Sequence, residues 1–129
     1  MAFEIDLQED RGYCTAGENL TSGQYLAVQL IADALEVKAS TLSAGDPVFG
    51  IVQNAPAQGT SATVRREGVS FCVAGTGDIS IGDLLATDGD GKLVTAGSDD
   101  VVVGFCVAAA TDGNIGSVDL GYSGAVAGA

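Results

Sequence analysis

The chain has 129 residues, of which 47% are hydrophobic and 5% aromatic, and it contains neither tryptophan nor histidine. Its 17 acidic and five basic residues give a net charge of −12, which opposes binding to nucleic acid or to an anionic membrane. The lack of histidine excludes Ser-His-Asp and Cys-His catalytic arrangements within one chain and removes the commonest metal ligand. With 19 glycines and a core restricted to aliphatic residues, the composition is typical of an all-β fold.

The first segment, residues 1–14, is predicted to be an extended N-terminal arm. Phe3, Ile5 and Leu7 alternate with polar residues, which is the pattern of a strand with one apolar edge. Such a strand either completes the domain's own sheet or adds to the edge of a neighbouring molecule, and the sequence leaves both possibilities open. No basic region is followed by an apolar stretch here, so we predict no signal peptide and expect synthesis in a reducing cytoplasm.

The segments that follow predict a duplicated unit. Residues 22–30 align with 81–89 at an offset of 59, and residues 48–64 align with 102–118 at an offset of 54. The matched positions are Gly23 with Gly82, Leu26 with Leu85, Gly50 with Gly104, Ala55 with Ala109, Gly59 with Gly113 and Val64 with Val118. Because both halves keep the same order of turn glycines and strand residues, they predict two copies of one β unit.

One stretch of the first copy, LAVQLIADALEVKAS (26–40), is ambiguous. Its apolar residues have helical spacing, and local propensity favours a helix. Its partner in the second copy is DLLATDGDGKLVTA (83–96), in which an Asp-Gly turn separates two apolar runs. The alignment therefore predicts a strand at 25–30, a turn at 31–34 and a strand at 35–39.

The turn TDGDGK (87–92) resembles a fragment of a calcium-binding loop. A complete loop needs further oxygen ligands and a bidentate glutamate at its end, and Lys92 stands where the next ligand would be. We therefore predict a hairpin turn here, and we predict no metal or other cofactor for the chain.

Two cysteines, Cys72 and Cys106, lie in copies of the tetrapeptide FCVA. In a strand each would share one face with a small neighbour, where cysteine packs as a small hydrophobe. The offset of 54 aligns Cys106 with Val52 and not with Cys72, which is not expected of a site built for sulfur chemistry. Three cysteines without a CxxC motif therefore predict packing residues, in preference to a disulfide or a zinc site.

Together these elements predict one all-β domain over 15–122. The expected architecture is a compact small β-barrel or sandwich, built from pseudo-repeats at about 19–68 and 78–122. The low-complexity tail at 123–129 is predicted to be flexible.

Candidate partner-binding residues lie in the first 14 residues and in VRREG (64–68), which holds an adjacent basic pair. Strand alternation points the two arginines to opposite faces, and an exposed arginine in so acidic a chain could anchor a partner's carboxylate. A solvated strand surface with local ion pairing is the alternative. The candidates are Phe3, Ile5, Leu7, Arg11, Tyr13, Arg65 and Arg66.

Three motifs extend over most of the chain: GIVQN.P..G..A.V...G, GD...TD.DG and VVGFCV.AA..G....V.L. They resemble the tailed-phage capsid cement, or head decoration, proteins, over roughly residues 12–122. Being made of turn glycines and strand residues, the motifs locate no active site. The resemblance implies a non-enzymatic virion protein on the outer capsid surface, which binds the major capsid protein lattice as a homotrimer at threefold and quasi-threefold positions and stabilises the head.

Two other interpretations stay open. The chain could have another role in the virion, as a tail component or as the base of a head fibre. A small ligand-binding or enzyme-accessory β domain belongs to a different class, and the lack of histidine and tryptophan weakens that interpretation because aromatic residues usually line such pockets.

Overall fold

The structure is a computed structural model that describes residues 11–31, 35–122 and 124–128. Its regular structure is almost entirely β-strand, which confirms the predicted all-β class. No helix in these residues is long and apolar enough to cross a membrane. The elements are β1 (Arg11–Ala16), β2 (Ala27–Ile31), β3 (Glu36–Lys38), β4 (Gly50–Val52), β5 (Ser61–Arg65), β6 (Val69–Val73), β7 (Leu84–Thr87), β8 (Leu93–Thr95), β9 (Gly104–Ala108), β10 (Ile115–Asp119) and a 3-10 helix (Leu120–Tyr122).

The two halves of the chain, β1 to β5 and β6 to β10, have the same topology. The first half closes a barrel in the order β1-β3-β2-β4-β5, and the second half forms a sheet in the order β6-β10-β9-β7-β8. Because the barrel is closed, its order can also be read as β1-β5-β4-β2-β3. This is the order of the second sheet when β1 is matched with β6, β2 with β7 and so on. The parallel closure also recurs, since Ala16 pairs with Val37 in the barrel and Ala74 bridges to Leu93 in the sheet. The predicted duplication is therefore visible in the fold.

The later strands of the two halves correspond at the predicted offset of 54. A Cβ atom added to Gly50 would lie 2.4 Å from the carbonyl oxygen of Arg65 on β5. A Cβ atom added to Gly104 would lie 2.2 Å from the carbonyl oxygen of Asp119 on β10. The two glycines thus permit the same close approach of a neighbouring strand, which explains why both halves keep glycine there.

The earlier strands do not correspond at the predicted offset of 59. Val28 pairs with Gly50 in the first half, and Leu85 pairs with Gly104 in the second. Leu85 is therefore the counterpart of Val28, and the predicted match to Leu26 is wrong by two residues.

The loop that leads into β2 explains this shift. The Leu20 N–H donates to the Pro56 carbonyl, and the Ile79 N–H donates to the Ala110 carbonyl in the equivalent place. Counting from these two residues, β2 starts two residues later than β7 does. Gly23 and Gly82 both lie three residues after these positions, so the two extra residues of the first loop follow its glycine. Matching glycine to glycine therefore gave the wrong register for the strand.

Tyr25 takes the place of Gly82 in the first half. The Tyr25 N–H donates to the Val52 carbonyl and the Gly82 N–H to the Cys106 carbonyl, each at 2.8 Å. Both residues have a positive φ, 69° for Tyr25 and 90° for Gly82, a conformation that favours glycine. These bonds also confirm the predicted equivalence of Val52 and Cys106.

Residues 26–40 form the predicted hairpin and not a helix. Strands β2 and β3 are antiparallel, with Leu30 opposite Val37, while residues 32–34 lie outside the described residues. Val28 and Val37 are fully buried in the barrel interior. The burial of β-branched residues in a sheet outweighs the local helix propensity of the segment.

The two halves are joined by a shared apolar core. Ala27 and Ile51 belong to the first half, yet they pack among the interior residues of the second sheet. At the same place the Ala27 N–H donates to the Gly91 carbonyl at 2.8 Å. The barrel has a core of its own, to which the first half contributes Cys14, Ala16, Leu20, Val28, Val37, Ala39, Val52, Ala62 and Val64.

Both ends of the described chain differ from the prediction. Strand β1 begins at Arg11 and pairs with β5, so residues 11–14 belong to the barrel and not to the predicted arm. At the other end, Val126 bridges to Val101 and Ala127 is buried, so residues 124–128 pack on the domain and do not form the predicted flexible tail. Backbone hydrogen bonds to residues 100–102 hold this tail segment in place.

Candidate interaction surfaces

The cysteines pack in the interior, as predicted. Cys14, Cys72 and Cys106 are free thiols and all are buried. Burial raises the pKa of Cys14 to about 11 and that of Cys72 to about 12, and it also raises the pKa of Cys106. Thiols with such pKa values stay protonated near neutral pH, which makes them poor nucleophiles and poor metal ligands.

The true counterpart of Cys72 is Cys14, which the sequence analysis missed. Cys14 lies opposite Ala62 on β5, and Cys72 lies opposite Gly116 on β10, which are equivalent positions of the two halves. The signal was present in the sequence, since YCTAG at 13–17 matches FCVAG at 71–75. The other residue of the FCVA match, Cys106, lies on a strand that does not correspond to β6.

The acidic turn after β7 is a hairpin turn held by its own carboxylate. One oxygen of Asp88 accepts hydrogen bonds from the backbone N–H groups of Asp90, at 2.9 Å, and Lys92, at 3.0 Å. The carboxylate that would start a calcium loop is therefore used in the turn itself. The described part of the chain contains no group of three or more acidic or cysteine side chains placed to hold a metal ion.

A second carboxylate, that of Glu18, holds the loop after β3. It accepts hydrogen bonds from the N–H groups of Ala39, at 2.7 Å, and Ser40, at 2.8 Å, and from the Ser40 hydroxyl. Partial burial alone would raise the pKa of the Glu18 carboxyl, but these bonds and the charge of Lys38 hold it below its ordinary value. The negative charge of Glu18 therefore stabilises the fold.

A basic corner, defined by Arg11, Arg65 and Arg66, lies at one end of the barrel. The backbone of Arg11 pairs with Val64, directly before the two other arginines. The Arg65 guanidinium donates to the Val69 carbonyl at 2.8 Å. Three of the five basic residues of the chain are therefore on or next to the paired strands β1 and β5.

Within the basic corner, Arg66 is held against an aromatic ring. Its guanidinium donates through Nε to the Phe49 carbonyl at 2.6 Å and lies 4.5 Å from the centroid of the Phe49 ring. The two arginines thus reach different partners, in line with the predicted opposite directions. Tyr13 follows Arg11 on β1, and for these two residues the structure describes the backbone only, while Phe3, Ile5 and Leu7 lie outside the described residues.

A second surface, the outer face of the second sheet, was not predicted. Strand pairing aligns Val69, Asp119, Phe105 and Leu84 in one row across β6, β10, β9 and β7. Large apolar side chains on and beside this row remain exposed. They are Val69, Phe71, Ile81, Leu84 and Ile115, with exposed fractions between 42% and 72%, and together with Phe105 they define the second-sheet outer face.

The equivalent face of the first half is covered. Ala27 and Ile51 are the counterparts of Leu84 and Phe105, because they occupy the same paired positions on β2 and β4. Both are fully buried against the second half. An apolar sheet face that is packed in one copy and exposed in the other marks an interaction surface.

The sequence did contain a signal for this face. In VSFCV (69–73), both sets of alternate residues are apolar or small, whereas a strand with one face in water usually alternates apolar with polar residues. The exposed set is Val69 and Phe71, and the buried set is Ser70 and Cys72. The pattern was noticed only for its cysteine.

Comparison with known proteins gives a family for the chain. A family model described as phage cement protein matches residues 9–120. Among solved structures, the head fiber gp8.5 N base in bacteriophage phi29 is similar, with a TM-score of 0.69 and 21% sequence identity over 87% of this chain and 93% of that one. At this identity the similarity shows a common fold alone. No curated protein matches the chain.

Proposed function

The chain belongs to the phage cement protein family, and from this membership we propose that it binds the outer surface of the major capsid protein lattice and stabilises the phage head. The match over residues 9–120 is the observation that carries the proposal, because it extends over both halves of the fold. The chain is a phage structural protein. We propose no enzymatic role for it, in keeping with buried, protonated thiols and a sequence without histidine.

The proposed mechanism is mechanical. Binding as a homotrimer at threefold and quasi-threefold positions would let each trimer contact several capsid subunits at once. Contacts that are individually modest gain strength when they are linked in one oligomer and repeated over a lattice. A net charge of −12 suits the solvent side of the shell, away from packaged DNA.

The basic corner is the proposed capsid contact, together with the arm that leads into it. The backbone of Arg11, the first residue of β1, pairs with Val64, directly before Arg65 and Arg66. Arginine guanidinium groups bind carboxylates through paired hydrogen bonds, and a positive corner on an acidic protein orients its approach to a partner. Phe3, Ile5, Leu7 and Tyr13 would supply apolar contacts around the arginines.

A role as the base of a head fibre is the second candidate. The similarity to the phi29 head fiber base over most of both chains favours it, since the same fold serves in that assembly. Both candidates place the chain on the virion, and they differ in where it sits and what it carries.

Mixing the purified protein with capsids that lack it tests these roles. The cement role predicts co-sedimentation and electron-microscopy density on threefold and quasi-threefold positions, weakened by the double variant Arg65→Ala/Arg66→Ala. Lys92→Ala, which removes a cation from the turn between β7 and β8, is the control and should bind normally. Density at other positions, with a fibre above it, would favour the fibre base. No co-sedimentation would contradict the cement role.

A further inference from the structure

We infer that the second-sheet outer face is the surface through which copies of this chain contact one another around the threefold axis. The inference rests on the proposed function for the trimer, and it names the surface and the partner. The occupant is a second copy of this chain, and the apolar area of the face, its charge and the internal repeat of the fold each support this choice.

The second-sheet outer face exposes a large apolar area. Five large side chains of this face are between 42% and 72% exposed, which leaves on the order of 500 Å² of apolar surface if each side chain presents roughly 200 Å² when fully exposed. This is at the upper end of the largest patch found on a typical monomer, and more than half of what one partner contributes to a stable interface. The Phe71 ring also packs edge-on against the Tyr25 ring, with 5.2 Å between the ring centroids.

The charge of the face also supports this choice. Two copies that each carry −12 repel one another, so they can approach most easily through a surface with little charge. Of the side chains that point outward from β6, β9 and β10, Asp119 alone is ionisable. Asp119 lies opposite Val69, whose carbonyl accepts a hydrogen bond from the Arg65 guanidinium. Asp83 also lies beside this face, between Ile81 and Leu84 in the sequence. The face therefore carries few charges, whereas the basic corner suits an acidic partner.

The internal repeat of the fold supports this choice as well. In the first half the equivalent face, with Ala27 and Ile51, packs on a second unit of the same topology. Within one chain, this face thus already packs on the inner face of a sheet from a unit with the same topology. In the second half the positions of Ala27 and Ile51 carry the larger Leu84 and Phe105, which project apolar surface outward. Contact with another copy covers that surface.

The test compares two leucines of similar exposure in sedimentation experiments without capsids. Leu84→Glu together with Ile115→Glu places carboxylates in the proposed contact. Leu30→Glu is the matched control, because Leu30 is a strand leucine of the first half that is 45% exposed, against 42% for Leu84. We expect a trimer for the natural chain and for the control, and a monomer for the double variant, with association weakened at least about 100-fold.

Folding is checked separately by thermal unfolding and circular dichroism. If the double variant does not fold, Ile81→Lys in the exposed turn before β7, 72% exposed, replaces it and should give the same loss of association. A natural chain that stays monomeric at high concentration overturns the inference, and so does a folded face variant that still forms the trimer.

Capsid co-sedimentation of the same proteins separates this inference from the proposed function. A trimer that depends on this face but does not bind capsids supports the inference and contradicts the capsid role. A monomer that binds capsids through this face, and loses binding with Leu84→Glu, contradicts the inference and leaves the capsid role intact.

Discussion

The two halves of this chain share one topology, but they differ in whether the outer face of the sheet is buried. In the first half the strands close into a barrel, and the outer face around Ala27 and Ile51 is buried. In the second half the core under the sheet is completed by residues from the first half, and the corresponding outer face stays exposed. A duplicated unit can thus use one copy of a surface to hold the chain together and leave the other copy available for partners.

The largest expected effect is the difference in stability between a charge placed on the buried face of the first half and one placed on the exposed face of the second. Ala27→Asp should cost at least about 4 kcal/mol of unfolding free energy, because it buries an unpaired carboxylate between the halves. Leu84→Asp, at the equivalent but exposed position, should cost less than about 1 kcal/mol. Urea unfolding of both variants measures the difference. Equal losses would show that the second face is as buried as the first.

A smaller effect is expected where both halves need glycine. Gly104→Ala should cost about 3 kcal/mol, because its Cβ would lie 2.2 Å from the Asp119 carbonyl oxygen on the neighbouring strand. Gly50→Ala should cost about the same, since the two positions are equivalent. Gly113→Ala has a positive φ of 82° but open space around its Cβ, and should cost only about 1 kcal/mol. If all three variants lose the same free energy in urea unfolding, strand contact is not what requires glycine at these positions.

The smallest expected effect on stability comes from the Glu18 carboxylate of the first half. Its pKa is lower in the folded chain than in the unfolded one, so its stabilisation is complete above the unfolded pKa and is lost as the pH falls through the folded pKa. Glu18→Gln should therefore cost about 1 kcal/mol at pH 7, a loss that diminishes as the pH falls through the folded pKa of Glu18. Glu36→Gln, on an exposed position of β3, is the control and should change little. A pH-independent loss for Glu18→Gln would contradict the role of its charge.

Much of the fold could be predicted because it depends on local pattern. Turn glycines and aliphatic runs predicted the strands, and the repeat correctly chose a hairpin over a helix at 26–40. The alignment failed where a loop changed length, since Tyr25 adopts the conformation for which glycine was the expected marker. The interaction surfaces were harder to predict, because Arg65 and Arg66 were found from their charge, whereas Phe71 and Leu84 look like core residues in the sequence.

By itself the sequence determined the strand class, the duplication, the acidity, the interior role of the cysteines and the family resemblance. These follow from residue type and short-range periodicity, which one chain displays in full. Only the tertiary structure decided that the barrel closes in the first half, that Cys14 is the counterpart of Cys72, and that the second-sheet outer face is exposed. The physical reason is that an apolar residue is stabilised by burial both in a core and in an interface. Only the packing of one half on the other determines whether a given residue lies in the core or on the surface.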